Sequence, residues 1–235
     1  MELVQKFQIM KKNSLLKAFY EAKFAAEEIG HKADFFPTDN DQNFSEKEIL
    51  REGAWVILCG GFREAVIRRL FANFSLCFCD WESALEILKN RNMCRETALD
   101  VFRNEKKVDA IIKLAELIVG TGFEELKSKI LTSPIKVLSD IHFIGPITSY
   151  HLAKNLGFQV AKPDRHLNKI SKNNGFKDAH ELCEAIASQT REPISVVDGV
   201  LWRLSEKKMT DQFKIFHMQK SDYPNSERLI LTSDC

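Results

Sequence analysis

A helical hairpin is the segment of this sequence whose residue types and spacing could do chemistry. Residues 134–157 are typical of a helix, a tight turn and a second helix, with Gly145 in the turn. Such a turn presents backbone N–H groups at a helix N-terminus, where the helix dipole also favours an anion such as a DNA phosphate. Thr148 would add a hydroxyl donor to the same anion. An ordinary corner between two helices is the alternative, since short helical hairpins are common connections.

A single aspartate follows this hairpin. Asp164 lies seven residues beyond Gly157, directly after Pro163 and near the predicted start of the next helix. Basic side chains surround it in the sequence, where phosphate contacts would help to position a duplex: Lys162, Arg165, His166, Lys169 and Lys172. The alternatives are a solvated helix face for these bases and, for Asp164, a carboxylate that stabilises a helix N-terminus through the dipole.

Composition restricts the remaining function classes. The 235 residues carry 34 Lys and Arg against 33 Asp and Glu, a formal charge of +1, so any site for a polyanion must be local. No stretch has the apolar length of a membrane span or the core of a signal peptide, and we expect a cytoplasmic protein, associated with the nucleoid if the source is bacterial. The six cysteines lack zinc-ligand spacing, which predicts reduced thiols and no metal.

The elements that must position these residues are predicted to be helices. Glycine (10) and proline (6) are scarce, and apolar residues recur with a period of 3.6, so the protein should be almost entirely α-helical. Ser45 and Glu48 form a predicted capping box, and Asp178 and Glu181 form another. These signals predict helices over residues 15–29, 46–58, from 62 onward, 108–119 with a stop at Gly120, from 134, 146–156, 163–173 and 193–206.

The run from Ile141 to Leu167 resembles the helix-hairpin-helix and Gly/Pro-Asp signature of the endonuclease III superfamily of DNA glycosylases. Residues 56–66 and 102–112 resemble, more weakly, the family's helix before a DNA-inserting loop and its Arg-Asn-Lys-Ala helix. The resemblance implies a two-domain all-α fold. Residues 46–159 would form a helical barrel domain containing the hairpin (about 134–157), and residues 1–45 plus 160–235 a terminal α domain that carries Asp164 at the mouth of a lesion cleft.

The chain departs from the family pattern at three places. Phe143 stands where the hairpin usually has its first glycine. Ile147 stands where bifunctional members carry the lysine that forms a Schiff base, and isoleucine cannot attack a sugar. The four-cysteine iron–sulfur pattern is absent, because only Cys183 and Cys235 follow the hairpin, so no cluster and no other cofactor are expected.

The resemblance therefore implies a monomeric, monofunctional glycosylase that acts on a base flipped out of double-stranded DNA. Asp164 would be the catalytic residue, and the hairpin residues Phe143, Gly145, Ile147 and Thr148 would contact the DNA backbone. Phe62 and Arg63 would be the wedge that fills the place of the flipped base in the stack. Trp55 and Tyr150 would line the base pocket. For each of these four residues, the alternative is a place in the apolar core.

Two other functions stay open at this point. One is a helix-hairpin-helix module that binds DNA without cutting bonds. The other is an abasic-site lyase or a restriction-type glycosylase that acts on modified DNA, for which Lys154 and Lys162 lie near enough in sequence to supply an amine. The identity of the excised base is not encoded in any local pattern, since pocket side chains come from several helices.

Overall fold

The structure, a computed structural model, describes residues 15–24, 42–163 and 165–206. All regular secondary structure in these ranges is helical, which confirms the all-α prediction. The chain divides into two compact units, a central unit Phe36–Lys162 and a terminal unit made of Met1–Phe35 and Pro163–Cys235. No helix in the described ranges combines the length and apolar character that a bilayer crossing requires.

The central unit contains eight described helices around one apolar core. In chain order they are α2 (Glu46–Cys59), α3 (Glu64–Cys77), α4 (Ala84–Lys89), α5 (Arg91–Val101), α6 (Glu105–Thr121), α7 (Phe123–Thr132), α8 (Pro134–Ser139) and α9 (Thr148–Asn155), with a short 3₁₀ turn at Cys79–Trp81. The helix of residues 15–24 belongs to the terminal unit and is called α1. Helix α6 is central to the core because the predicted apolar stripe is fully buried, from Val108 to Ile118.

Helices α2 and α6 approach each other closely at one glycine. A Cβ atom added at Gly53 would lie 2.5 Å from Cδ2 of Leu114, a side chain buried in the core. The start of α2 is the predicted capping box, since Ser45 accepts a hydrogen bond from the Glu48 N–H at 3.3 Å and donates its own N–H to the Glu48 carboxylate at 2.7 Å. Local sequence signals thus fix the start of α2, and Gly53 sets its distance from α6.

At two of the helix boundaries that differ from their predictions, a left-handed glycine explains the difference. Helix α3 begins at Glu64 rather than Phe62, because Gly61 takes a left-handed conformation (φ +78°) and Arg63 is extended. Helix α6 continues through Gly120 and ends at Gly122, whose φ of +86° only a glycine adopts at low cost. The helix stops where the backbone turns left-handed, and the first glycine of the Gly-Thr-Gly run does not make that turn.

The terminal unit has three described helices besides α1: α10 (Arg165–Asn173), α11 (Ala179–Thr190) and α12 (Ile194–Glu206). An ion pair of 2.5 Å joins Lys23 of α1 to Glu192, just before α12. The second capping box is only half present. Asp178 accepts from the Glu181 N–H at 2.9 Å, but the Glu181 carboxylate accepts from the N–H of Lys177 and not from that of Asp178.

Candidate nucleic-acid interface

The helical hairpin is present as α8 and α9, which pack against each other and are joined by residues 140–147. The turn is anchored to the core by two buried side chains, Ile141 and Ile144, and the Ile144 N–H donates to the Ile141 carbonyl at 2.9 Å. Pro134 opens α8 at the predicted first helical position. The turn is therefore anchored on its buried side by these two isoleucines, and its other residues are partly or fully exposed.

The hydrogen bonds of this turn use the donors that the sequence assigned to an anion. The N–H of Gly145 donates to Thr148 Oγ1 at 2.7 Å, and that hydroxyl lies 3.3 Å from the Gly145 carbonyl. Helix α9 begins at Thr148, two residues after the predicted start, although the Ser149 N–H already donates to Gly145 O at 2.9 Å. Among the hydrogen bonds of the described residues, none involves the N–H of Ile147 or Thr148, so these two amides are the donors that the turn offers to a ligand.

Phe143, in the turn between the two helices, has a backbone conformation that is typical of glycine. Its φ is +70°, in the left-handed region that costs an ordinary residue about 1–2 kcal/mol. The ring is 45% exposed and lies edge-on to the His142 ring at a centroid distance of 5.3 Å. The turn thus has a conformation that is typical of glycine and carries a large, partly exposed aromatic side chain at that position.

Lys107 of α6 connects the hairpin to the end of α2. Its side chain is buried, and its ammonium donates to the carbonyls of Ile57 and Leu58, the latter at 3.1 Å. These carbonyls belong to the last turn of α2, where no helical N–H follows to bond them. The same ammonium lies 5.4 Å from the ring centroid of Phe62 and 5.9 Å from that of Phe143. One buried cation therefore contacts two predicted DNA-binding residues.

The segment after α2 keeps Phe62 partly exposed. The Phe62 ring packs edge-on against Phe102 at 5.1 Å, yet the residue remains 43% exposed. Gly60 precedes it at the place where an added Cβ would lie 3.4 Å from Lys107 Nζ. Arg63 is exposed at the N-terminus of α3. The predicted wedge residues are thus at the surface of the central unit, one of them fixed by its neighbours.

Burial shapes the chemistry of the groups beneath this surface. It lowers the pKa of Lys107, an effect that the neighbouring Cys59 opposes. Burial, together with the charge of Glu64, raises the pKa of the Cys59 thiol to about 12. The Cys59 thiol is therefore protonated at neutral pH and is not a nucleophile.

A polar cluster that the sequence did not indicate lies on α9. Burial first, and then the charges of Lys162 and Lys154, hold the pKa of His151 well below its usual value, so its imidazole is neutral at pH 7. One turn further along α9, Asn155 donates to the Glu52 carboxylate of α2 at 2.8 Å, and burial raises the pKa of Glu52. A histidine and an asparagine inside a helix carry no sequence signal for such contacts, which only the packing of α9 on α2 creates.

The predicted base-pocket residues have different surroundings. The Trp55 ring meets Phe71 edge-on at 5.0 Å, and the Arg68 guanidinium lies over it at 5.5 Å. Trp55 is thus partly buried against the core of the central unit. Tyr150 is half-buried on α9. A role for either residue in binding a base stays a prediction.

The remaining predicted residues belong to the terminal unit. Arg165 and Lys169 are exposed on α10, and Arg165 Nε donates to His166 Nε2 at 3.2 Å. Asp164, the predicted catalytic residue, lies outside the described residues, and its role stays a prediction. In the described part of the chain, no three His, Cys, Asp or Glu side chains are grouped so that they could hold a metal ion.

Comparisons with family models, with curated proteins and with solved structures returned no match to this chain. The similarity to endonuclease III-like glycosylases therefore rests on the sequence motif.

Proposed function

We propose that this protein is a DNA glycosylase that hydrolyses the N-glycosidic bond of a base flipped out of duplex DNA. The observation that carries the proposal is the left-handed backbone at Phe143. The hairpin motif that the sequence resembles has a glycine at this position, a residue that adopts this conformation at low cost, and here a phenylalanine adopts it. The Asp164 that the motif requires follows at the expected distance in the sequence.

Binding would begin at the phosphate backbone. The N–H groups of Ile147 and Thr148 at the N-terminus of α9 suit a phosphate oxygen, since they have no acceptor among the described residues and the helix dipole favours an anion there. Phe62 is exposed enough to enter the base stack once a nucleotide has left it. Arg63 would contact a neighbouring phosphate.

Catalysis would depend on Asp164. Breaking the bond between base and deoxyribose develops positive charge on the sugar, which a carboxylate held beside C1′ stabilises. The same carboxylate orients or deprotonates the attacking water. Because Ile147 replaces the family's lysine, water is the acceptor and the product is an abasic site with an intact strand.

The test is a screen of labelled duplexes that carry uracil, alkylated purines, 8-oxoguanine, mispaired adenine or modified cytosines. The wild-type protein should give strand breaks that require alkali. Asp164→Asn should lower the excision rate by about 10²–10³ while DNA binding is retained. Asp100→Asn, an exposed aspartate on α5, is the matched control and should excise normally.

Two outcomes would contradict the proposal. Unchanged excision by Asp164→Asn would remove the catalytic role of this residue. Strand breaks without alkali would indicate a lyase instead. In that case Lys154 and Lys162, whose charges reach His151, would be the first candidates for the attacking amine.

A further inference from the structure

We propose that Phe62 and Phe143 form a single stacking platform for bases that have lost a stacking neighbour, and that Lys107 positions both rings. The inference rests on the proposed DNA function and adds to it the form of the substrate. The preferred ligand would be DNA whose stack is interrupted, at an abasic or flipped position or in a single strand, rather than a continuous duplex.

The first support is the convergence of the two rings. They are the two large aromatic side chains that the described part of the central unit leaves exposed, and both lie within 6 Å of the Lys107 ammonium. They come from segments far apart in the sequence, so packing has brought both of them to the same lysine. Lys107 is buried and is held by two α2 carbonyls, so the ammonium next to both rings has a fixed position.

The second support is the backbone beneath the rings. Phe143 keeps a left-handed conformation, and Phe62 directly follows Gly61, whose φ is +78°. These local conformations turn each ring outward at the end of a helix or hairpin. The edge contacts of Phe62 with Phe102 and of Phe143 with His142 then restrict both rings, which reduces the entropy lost when a base stacks on them.

The third support is the charge around the rings. Three exposed cations lie close in sequence to the residues of the site: Arg63 follows Phe62, Arg103 follows Phe102, and Lys106 precedes Lys107. The ion pairs of the described residues give these three cations no carboxylate partner. The nearby acids Glu64 and Glu105 are paired with other arginines. Aromatic rings among cations are the combination that binds unstacked nucleotides, with the rings on the bases and the cations on the phosphates.

The experiment measures binding of the whole protein to three fluorescent probes by anisotropy. The probes are a continuous duplex, the same duplex with one tetrahydrofuran abasic analogue, and the single strand. The wild-type protein should prefer the interrupted duplex and the single strand. Phe143→Gly should weaken binding to these two probes by about tenfold and leave binding to the continuous duplex unchanged.

Four variants are compared in this measurement. Phe143→Gly keeps the fold because glycine suits the left-handed backbone. Phe62→Ala should reproduce its loss, and Lys107→Met should lower the ratio of interrupted to continuous binding, which a loss of stability alone does not change. Leu76→Ala removes an even more exposed apolar side chain from α3 and should alter none of the affinities.

The outcomes separate the platform from the glycosylase. If Phe143→Gly and Phe62→Ala keep the wild-type preference while the wild type excises bases, the platform is overturned and the proposed function stands. If the variants lose the preference and the wild type excises no base, the platform stands and the glycosylase is overturned. A wild-type protein that binds none of the probes would overturn both.

Discussion

Replacement of Lys107 by methionine tests how the site is held together. Methionine keeps the unbranched apolar stem, so it leaves little cavity among the residues that surround the lysine. It removes the ammonium that donates to the carbonyls of Ile57 and Leu58. The last turn of α2 then has two buried carbonyls without this donor, and the cation beneath Phe62 and Phe143 is lost.

The size of the effect follows from two opposing terms. Hydrogen bonds from a charged group contribute about 1.5–3 kcal/mol each. Burial of the ammonium, which lowers the pKa of Lys107, offsets part of this gain. We therefore expect Lys107→Met to lower the free energy of unfolding of the central unit by about 2 kcal/mol at neutral pH. Lys113→Met, an exposed lysine of the same helix, should change it little.

The pH dependence of this loss has a definite sign. The pKa of Lys107 is lower in the folded protein than its ordinary value of 10.5. At a pH between these two pKa values, the unfolded chain binds more protons than the folded protein. The free energy of unfolding of the wild type therefore rises with pH relative to that of the variant. Below the folded pKa both states carry the proton and the difference is constant. The deficit of Lys107→Met should therefore be smallest at neutral pH and grow toward about pH 10.

The assay is urea denaturation followed by helical circular dichroism, with wild type and variant compared at each pH. The difference between them removes the contribution of groups that titrate alike in both proteins. It keeps that of Cys59, because the charge of Lys107 lowers the pKa of this thiol. A Met variant as stable as the wild type would show that the ammonium does not cap α2. A deficit that shrinks as the pH rises would refute the burial of the charge.

Two further predictions concern the scaffold and use the same denaturation assay. Gly53→Ala should destabilise the central unit by about 1 kcal/mol, because overpacking against Leu114 exceeds the gain in helix propensity. Gly120→Ala, with open space around its Cβ, should stabilise the unit by about 0.5–1 kcal/mol. Equal changes in the free energy of unfolding for the two variants would refute the close contact between Gly53 and Leu114. Ser45→Ala should lower the free energy of unfolding by about 1 kcal/mol, because it removes the side chain that caps α2. An unchanged free energy of unfolding would show that the hydrogen bond from the Glu48 N–H to Ser45 does not stabilise the helix.

The sequence predicted those parts of the fold that short-range physics decides. The capping box at Ser45 and the apolar stripe of α6 depend on residues three or four positions apart, and both are present. The end of α6 was misplaced because Gly120 and Gly122 are equally able to turn left-handed, and only the helix that continues to Thr121 decides between them. Tertiary contacts, and not the local sequence, determine which of the two glycines adopts the left-handed conformation.

The candidate site shows the same division. The hairpin could be predicted because its turn residues are adjacent in sequence. The function of Lys107 could not, since a lysine between a lysine and a valine reads as a solvated residue until α6 is packed against the end of α2. His151 was missed for the same reason, because burial is the first cause of its lowered pKa and the charge of Lys162, from the chain that follows α9, is the second.

Phe143 takes part in two features of the hairpin, the left-handed backbone of the turn and the aromatic ring on its surface. A glycine there would provide the same turn without the cost of about 1–2 kcal/mol that a left-handed phenylalanine carries. If the turn alone mattered, Phe143→Gly would raise stability and leave DNA binding unchanged. If the ring next to Lys107 matters, the same substitution raises stability and removes the preference for interrupted DNA. Stability and binding then change in opposite directions, which a purely structural role for the ring cannot produce.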